Sequence, residues 1–149
     1  MVEIRAMAMS DYAAVTVLWR RTDGVAQNES DTEDAIAAFL RRNPGMSSVA
    51  ISEAGAVIGA VLCGSDGRRG YLHHLAVLPS ERKRGVAARL VARCFAELER
   101  AGIAKCNLFL FDDNADGAAF WEHNGWLART DLVVYQKGVL PGVRAALGS

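Results

Sequence analysis

Two groups of residues in this chain have the types and spacing to do chemistry. The first is the run Arg82-Lys83-Arg84-Gly85-Val86-Ala87-Ala88. It follows an apolar stretch ending at Val77-Leu78-Pro79 and leads into helically spaced apolar positions at Val86, Leu90, Val91, Cys94, Phe95 and Leu98. A strand that closes in a tight basic turn and opens a helix presents backbone N–H groups that have no intrahelical acceptor. Gly85 and Ala87 keep the turn bare, and Arg82, Lys83 and Arg84 ring it with positive charge. Such a nest is suited to a pyrophosphate. A solvated basic loop before an amphipathic helix has the same composition, so the turn alone leaves both readings open. It is not a nucleoside-triphosphate loop, because no Gly-Lys-Ser/Thr follows, and it is not the three-glycine dinucleotide turn. The second group is His73-His74, in the strand that precedes the turn. Imidazole titrates near neutrality and can take up a proton in catalysis, although half-buried strand histidines with satisfied hydrogen bonds would look the same. A covalent nucleophile is not in view: Gly-x-Ser-x-Gly is absent, and none of Cys63, Cys94 and Cys106 adjoins a histidine. No metal-ligand set is assigned.

These groups need elements to hold them. Tyr71 to Leu78 reads as a strand that Pro79 ends, and about Lys83 to Arg100 as a helix stopped by Gly102. Alternation along the strand predicts Tyr71, His73, Leu75 and Val77 on one face and His74, Ala76 and Leu78 on the other. Upstream, Glu3 to Ala6 is a short strand, and Ser10 is the expected N-cap of a helix through Val15, Leu18 and Trp19. Ser30-x-x-Glu33 predicts a capping box for a second helix through Ile36, Phe39 and Leu40, which Asn43-Pro44-Gly45 stops. Ser48 to Ser52 and Ala56 to Cys63 form a hairpin. Downstream come a strand from Lys105 to Phe111, a short helix after Asp112-Asp113-Asn114, and an antiparallel pair, Trp126 to Thr130 with Leu132 to Lys137. The tail after Gly138 is expected to be loosely attached. The order βααβββαβαββ predicts one α/β domain over residues 1–149, a mixed sheet with helices on both faces.

Composition narrows the function. At 149 residues the chain has one domain's length and can bury a core without disulfides. Seventeen basic and seventeen acidic residues cancel, which points away from nucleic acid as a partner. Three scattered cysteines do not make a secreted disulfide framework, and no apolar run reaches membrane-spanning length or forms a signal-peptide core. The expectation is a cytoplasmic protein with neither a nucleic-acid nor a membrane partner, and a possible homodimer.

Arg82-x-x-Gly85-x-Ala87 after Val77-x-Pro79 resembles the acetyl-coenzyme A signature of the GCN5-related N-acetyltransferases, Gln/Arg-x-x-Gly-x-Gly/Ala. A second block, Asn114 with Phe120-Trp121-Glu122-His123-Asn124-Gly125-Trp126, is similar to that family's Asn-x-x-Ala…Tyr-Glu-x-x-Gly-Phe motif. Element order and length agree over roughly the whole chain. The resemblance implies a sheet whose fourth and fifth strands run parallel and splay apart at one end. Acetyl-coenzyme A would be the cosubstrate, its pyrophosphate on the amides from Arg82 to Ala88 and its pantetheine arm beside the backbone of Leu75, Ala76 and Val77. Asn114 would lie near that arm or simply cap its helix. Trp121 stands where relatives carry a tyrosine credited with protonating the coenzyme thiolate; an indole N–H can donate a hydrogen bond but not a proton. Tyr71 stands where some relatives place a basic glutamate. His73, which shares its face, is therefore the first choice of base and His74 the second. Phe109 replaces a glutamate of the branch that acetylates ribosomal-protein N-termini, which argues against transferring that specificity.

The implied function is transfer of an acetyl group to a primary amine of a small molecule or peptide, by direct attack in a ternary complex. The rival from another class is a non-catalytic acetyl-coenzyme A binding or sensing module, for which Trp121 is the best argument.

Overall fold

In the computed structural model, which describes residues 1–143, five strands lie in the sheet in chain order: β1 (Glu3–Ala6), β2 (Ser48–Ile51), β3 (Val57–Ser65), β4 (Gly70–Val77) and β5 (Cys106–Leu108). The first three pairings are antiparallel, and β4 runs parallel to β5. Helices α1 (Tyr12–Arg20) and α2 (Glu33–Arg42) precede β2, α3 (Val86–Arg100) joins β4 to β5, and α4 (Ala115–His123) follows. The described residues fall into two compact units, Met1–Phe109 and a second from Leu110 onward. The first contains the whole sheet and α1 to α3.

Alternation along the strands builds two apolar layers on that sheet. On one face Val15, Leu18 and Trp19 of α1 and Ile36 of α2 cluster with Val49, Ile51, Ala60, Leu62 and Ala76. On the other, Leu90 of α3 packs so closely on Gly59 that a Cβ there would stand 3.0 Å from its Cδ1; Leu98 does the same at Gly70, at 2.8 Å. Cys94 of α3 meets Ser48 at 3.4 Å. A side chain at either of these strand positions would therefore force the leucine of α3 above it to shift.

Neither early helix is capped by the serine that the sequence predicts. Ser10 does not cap α1. The chain enters through a 3-10 turn, Met9–Asp11, in which buried Asp11 accepts from the Ala8 N–H at 2.8 Å and from both Arg5 terminal nitrogens at 2.8 and 2.9 Å. A carboxylate takes this role because it can accept three hydrogen bonds at once and tie β1 to α1. The Arg5 hydrogen bond holds the Asp11 carboxyl below its usual range. Its stabilisation is thus present above the ordinary carboxylate pKa and is lost as pH falls through the lowered value. Asp11→Asn should destabilise the fold by about 1–2 kcal/mol at neutral pH, with part of the Arg5 contact screened by solvent, and should flatten the acid limb of a thermal melt series. An unchanged melting temperature at pH 7 would contradict this. Likewise Thr32, not Ser30, caps α2, its hydroxyl accepting from the Ala35 N–H at 3.2 Å. The residues before it form another 3-10 turn, Glu29–Asp31, capped by Asn28.

Three further differences concern the later elements. α3 begins at Val86 because Lys83 (φ 62) and Gly85 (φ 76) are left-handed and interrupt any earlier helix. β5 is three residues long, pairing Gly70–Leu72 with Cys106–Leu108, and ends where β4 becomes irregular. The two strands expected between Trp126 and Lys137 are not formed, so the observed order ends at α4. Arg129 and Asp131 pair at the predicted turn, at 2.9 Å, but Leu127, Val133 and Tyr135 on either side are 82, 79 and 92% exposed. The β-propensity of Val-Val-Tyr is a preference for a half-buried pleated surface, and a lone hairpin without one is marginal. Of the tail after Gly138, residues 144–149 lie outside the described residues.

Candidate active site

β4 carries the irregularity on which the first unit's site is built. Its register against β3 shifts: Leu62 faces His73 and Ala60 faces Ala76, so Val61 faces two residues, His74 and Leu75. This is a β-bulge, and His74 adopts φ 56 within it. Only two non-glycine residues have positive φ among the described residues, His74 and Lys83. They fall in the two groups that the sequence marks for chemistry. A left-handed non-glycine residue costs roughly 1–2 kcal/mol, so the surrounding contacts must hold each in place.

The bulge overturns the simple alternation expected along β4. His73 and His74 do not point into opposite layers. The His73 ring stacks on Tyr71 (centroids 6.3 Å apart, planes 6° apart) and meets Phe39 of α2 edge-on at 6.1 Å. The His74 ring meets Trp19 of α1 at 5.1 Å, and its Nε2 lies 2.9 and 3.0 Å from the two carboxylate oxygens of Asp31. Both imidazoles thus face the α1–α2 layer. The extra residue also resets the alternation beyond it: Ala76 joins the α1–α2 core, while Val77 pairs with Gly59, the glycine covered by Leu90 of α3.

The histidines differ in what their nitrogens can do. A carboxylate oxygen only accepts, so His74 Nε2 must carry the proton it shares with Asp31 and is not a free base. The His73 nitrogens have no hydrogen-bond partner among the described residues, and no unpartnered side-chain nitrogen or oxygen there is sealed from solvent. Burial first, and then neighbouring His74, lowers the His73 pKa below the usual histidine value against a smaller opposing pull from Asp31. His73 is therefore neutral at physiological pH, with nitrogens open to an incoming group.

Among the described residues the outer edge of β4 has no strand partner beyond Leu72, because β5 ends at Leu108. This is the splay expected between the two parallel strands. A bulge leaves the extra residue's backbone outside the ladder. The backbone around Leu75 thus lies on an edge of β4 that no described strand pairs. Phe109 lies just past β5, 64% exposed, with its ring 6.4 Å from Tyr71.

The turn after β4 is less uniformly charged than the sequence suggests. Arg82, though exposed, folds back on the strand, its Nε donating to the Val77 carbonyl at 3.2 Å, and so pins the strand end to the turn. Arg84 approaches Glu81 at 3.7 Å and is 68% exposed. The first helical hydrogen bond of α3 runs from the Arg89 N–H to the Gly85 carbonyl. The amides of Val86, Ala87 and Ala88 precede it and are left for another acceptor. Left-handed residues at 83 and 85, separated by one, form an amide concavity of the kind that binds phosphate. A Cβ on Gly85 would meet nothing within 4 Å.

In the second unit, Asn114 caps α4: its Oδ1 accepts from the Gly117 N–H at 2.8 Å. Trp121 is 9% exposed, edge-on to Phe120 at 5.0 Å and to Trp126 at 4.9 Å. The cysteines are packing residues. Cys63 lies inside β3, not at its end, fully buried like Cys94, and a hydrogen bond between the two together with desolvation drives the Cys63 thiol up. Burial pushes Cys106 up to about 12. Trp19 is fully buried core, whereas Phe39 is only partly buried and reaches His73.

Sequence reasoning missed Asp31, the indole of Trp19 and the bulge. A capping pattern, Asn28-x-x-Asp31, is the one local signal of the first, and it gives no hint of a partner 43 residues away. Nothing in an unbroken run of strand formers marks an inserted residue.

Comparison with known proteins agrees with this architecture. An acetyltransferase of Sodalis glossinidius is 37% identical over 112 residues, 75% of this chain and 78% of that protein. The PaiA N-acetyltransferase of Thermoplasma acidophilum, solved with coenzyme A, superposes with a TM-score of 0.76 at 16% identity, over 87% of this chain and 91% of that one. AAC(6')-Iy, solved with a coenzyme A bisubstrate analogue, superposes at 0.74 and 19% identity over 93% and 99%. Residues 12–126 match the acetyltransferase (GNAT) family, and with a 37% identical relative over three quarters of its length this chain is a member of that family.

Proposed function

We propose that the protein moves the acetyl group of acetyl-coenzyme A to a primary amine of a small molecule or peptide, by direct attack in a ternary complex. One observation carries this reading. The amide concavity at Lys83–Ala88 follows, after one short turn, a strand that contains a bulge, so a phosphate site and a carbonyl site lie on neighbouring segments of the chain. The concavity suits the pyrophosphate, with Lys83 and Arg84 as its cations and Arg82 pinning the turn to the strand end. The backbone of Leu75, Ala76 and Val77 borders the pantetheine arm, although the Val77 carbonyl already accepts from Arg82. An amide freed by the bulge stabilises negative charge developing on the acetyl oxygen.

The amine must lose a proton as it attacks. His73 accepts it, directly or through water, since its ring is neutral and its nitrogens are uncommitted. Phe39 and Tyr71 beside it, with Phe109 next to Tyr71, support an acceptor whose body packs on aromatic rings. Asn114 and Trp121 enter the proposal through the sequence motif alone, Asn114 for the pantetheine arm and Trp121 for positioning the thioester without acting as an acid. The family match crosses from the first unit into the second, which supports one N-acetyltransferase domain. Among the described residues no helix is long and apolar enough to cross a membrane, in keeping with a cytoplasmic enzyme. The exposed apolar side chains of the second unit support a homodimer, to be tested by sedimentation.

The deciding experiment is a thiol-release assay with acetyl-coenzyme A over polyamines, amino acids, aminoglycosides and N-terminal peptides. We expect turnover above the hydrolytic background with at least one class. Tight coenzyme binding with no turnover in any class would favour the non-catalytic module instead.

A further inference from the structure

We infer that Asp31 and Trp19 are positioning residues, which clasp His74 in its left-handed conformation and thereby aim the β4 bulge. His74 is held at both ends. Its carbonyl accepts a hydrogen bond from the Trp19 indole at 3.1 Å, and its Nε2 donates to the Asp31 carboxylate. The clasp is itself anchored. Asp31 is 6% exposed, its carboxylate also accepts the Asn28 N–H at 3.0 Å, and its carbonyl accepts the Tyr12 hydroxyl at 2.8 Å. Trp19 is completely buried against the sheet. Residues from α1, from the turn before α2 and from β4 therefore converge on one strained residue.

Such convergence has a physical purpose. A histidine at φ 56 returns to an ordinary extended conformation unless other contacts oppose it, and the bulge relaxes with it. The direction of the amide beyond His74, and hence its aim at a carbonyl on the open edge, depends on that one torsion. The indole on the carbonyl holds the peptide plane from His74 to Leu75, and the carboxylate on the ring holds the side chain of the same residue. The role is distinct from proton transfer: the same hydrogen bond that positions His74 removes its Nε2 from service as a base.

The inference rests on the acetyl-transfer reading for its kinetic consequence only, so its test has one arm that needs no substrate. In the first arm, amide hydrogen exchange is measured on the free protein. Asp31→Ala should speed exchange across residues 73–77 at least about tenfold while β2 and the first half of β3 stay unchanged. Trp19→Phe, which deletes the N–H and keeps most of the ring, should do so to a smaller extent. In the second arm, both variants should lower kcat by about 10-fold to 100-fold with coenzyme affinity within about twofold of wild type. Asp31→Asn, whose amide oxygen can still accept from Nε2, should restore much of the loss. Should Asp31→Ala destroy the fold, Trp19→Phe and Asp31→Asn still report on the clasp. Wild-type exchange at 73–77 in Trp19→Phe and Asp31→Ala would overturn the inference whether or not any amine is acetylated. Equal kcat loss in Asp31→Asn and Asp31→Ala would also overturn it. Faster exchange in a protein that turns over no amine would leave the clasp standing and refute the acetyl-transfer reading alone.

Discussion

Replacing Gly85 with valine is expected to weaken acetyl-coenzyme A binding at least about 100-fold, roughly 3 kcal/mol, while the protein remains folded. Gly85 sits at φ 76, where a β-branched residue is strongly strained. A Cβ there would strike no protein atom within 4 Å, so the core has nothing to repack. What suffers is the direction of the amides from Gly85 to Ala88, together with the bare approach to them. Gly85→Asn separates these contributions, because asparagine tolerates the left-handed region but still carries a side chain. If amide geometry dominates, Asn should retain affinity within about tenfold of wild type and Val should not. If the bare surface dominates, both should fail equally. Titration calorimetry with acetyl-coenzyme A decides, with melting temperature as a check on folding. Binding of wild-type strength by Gly85→Val would move the pyrophosphate off this turn.

The turn proposed for the pyrophosphate was legible in the sequence because its signals are local. A proline, a basic run, a glycine and a change of periodicity all fall within about ten residues, and backbone geometry follows from such neighbours. The α/β class was legible through element order, and the parallel β4–β5 pair through the family resemblance. The helix N-termini were harder: Ser10 and Ser30 fit a capping pattern, yet Thr32 caps α2, and at α1 Asp11 ties the entry turn to Arg5 without capping the helix. The bulge was not legible at all. Alternation assumes that each residue advances the pleat by one, and a single inserted residue moved His74 into the layer opposite the expected one. The first choice, His73, still stands as a proposal, but for a different reason: both histidines share a layer, and only His73 keeps its nitrogens uncommitted. The C-terminal pair failed in another way. Leu132 to Tyr135 has the composition of a strand, but composition cannot supply the neighbouring strand that a ladder needs.

His73→Gln is expected to cut kcat/KM about 100-fold at neutral pH and to change the shape of its pH profile. In the wild type the reactive state needs a neutral acceptor amine and a neutral His73. For an amine that titrates near ~10, log kcat/KM then rises with slope one over the neutral range and with slope two below the histidine pKa. That break lies below the ordinary ~6.5 because burial, helped by His74 and opposed by Asp31, disfavours the imidazolium; Tyr71 and Phe39 on either side of the ring provide no compensating charge. Glutamine cannot accept the proton, so the variant should show slope one throughout. His74→Gln is the necessary comparison. It loosens the bulge and lowers kcat, yet it should keep the break, because its Nε2 already carries a proton toward Asp31. Stability gives an independent check. With a lowered folded-state pKa, His73 binds its proton more readily in the unfolded chain, so its contribution is complete above ~6.5 and declines as pH falls through that value. His73→Gln should flatten that decline in melts between pH 7 and 5. A variant that keeps both the break and wild-type turnover would remove His73 from the mechanism. Loss of the break in His74→Gln instead would assign the proton to the other imidazole, through its second nitrogen.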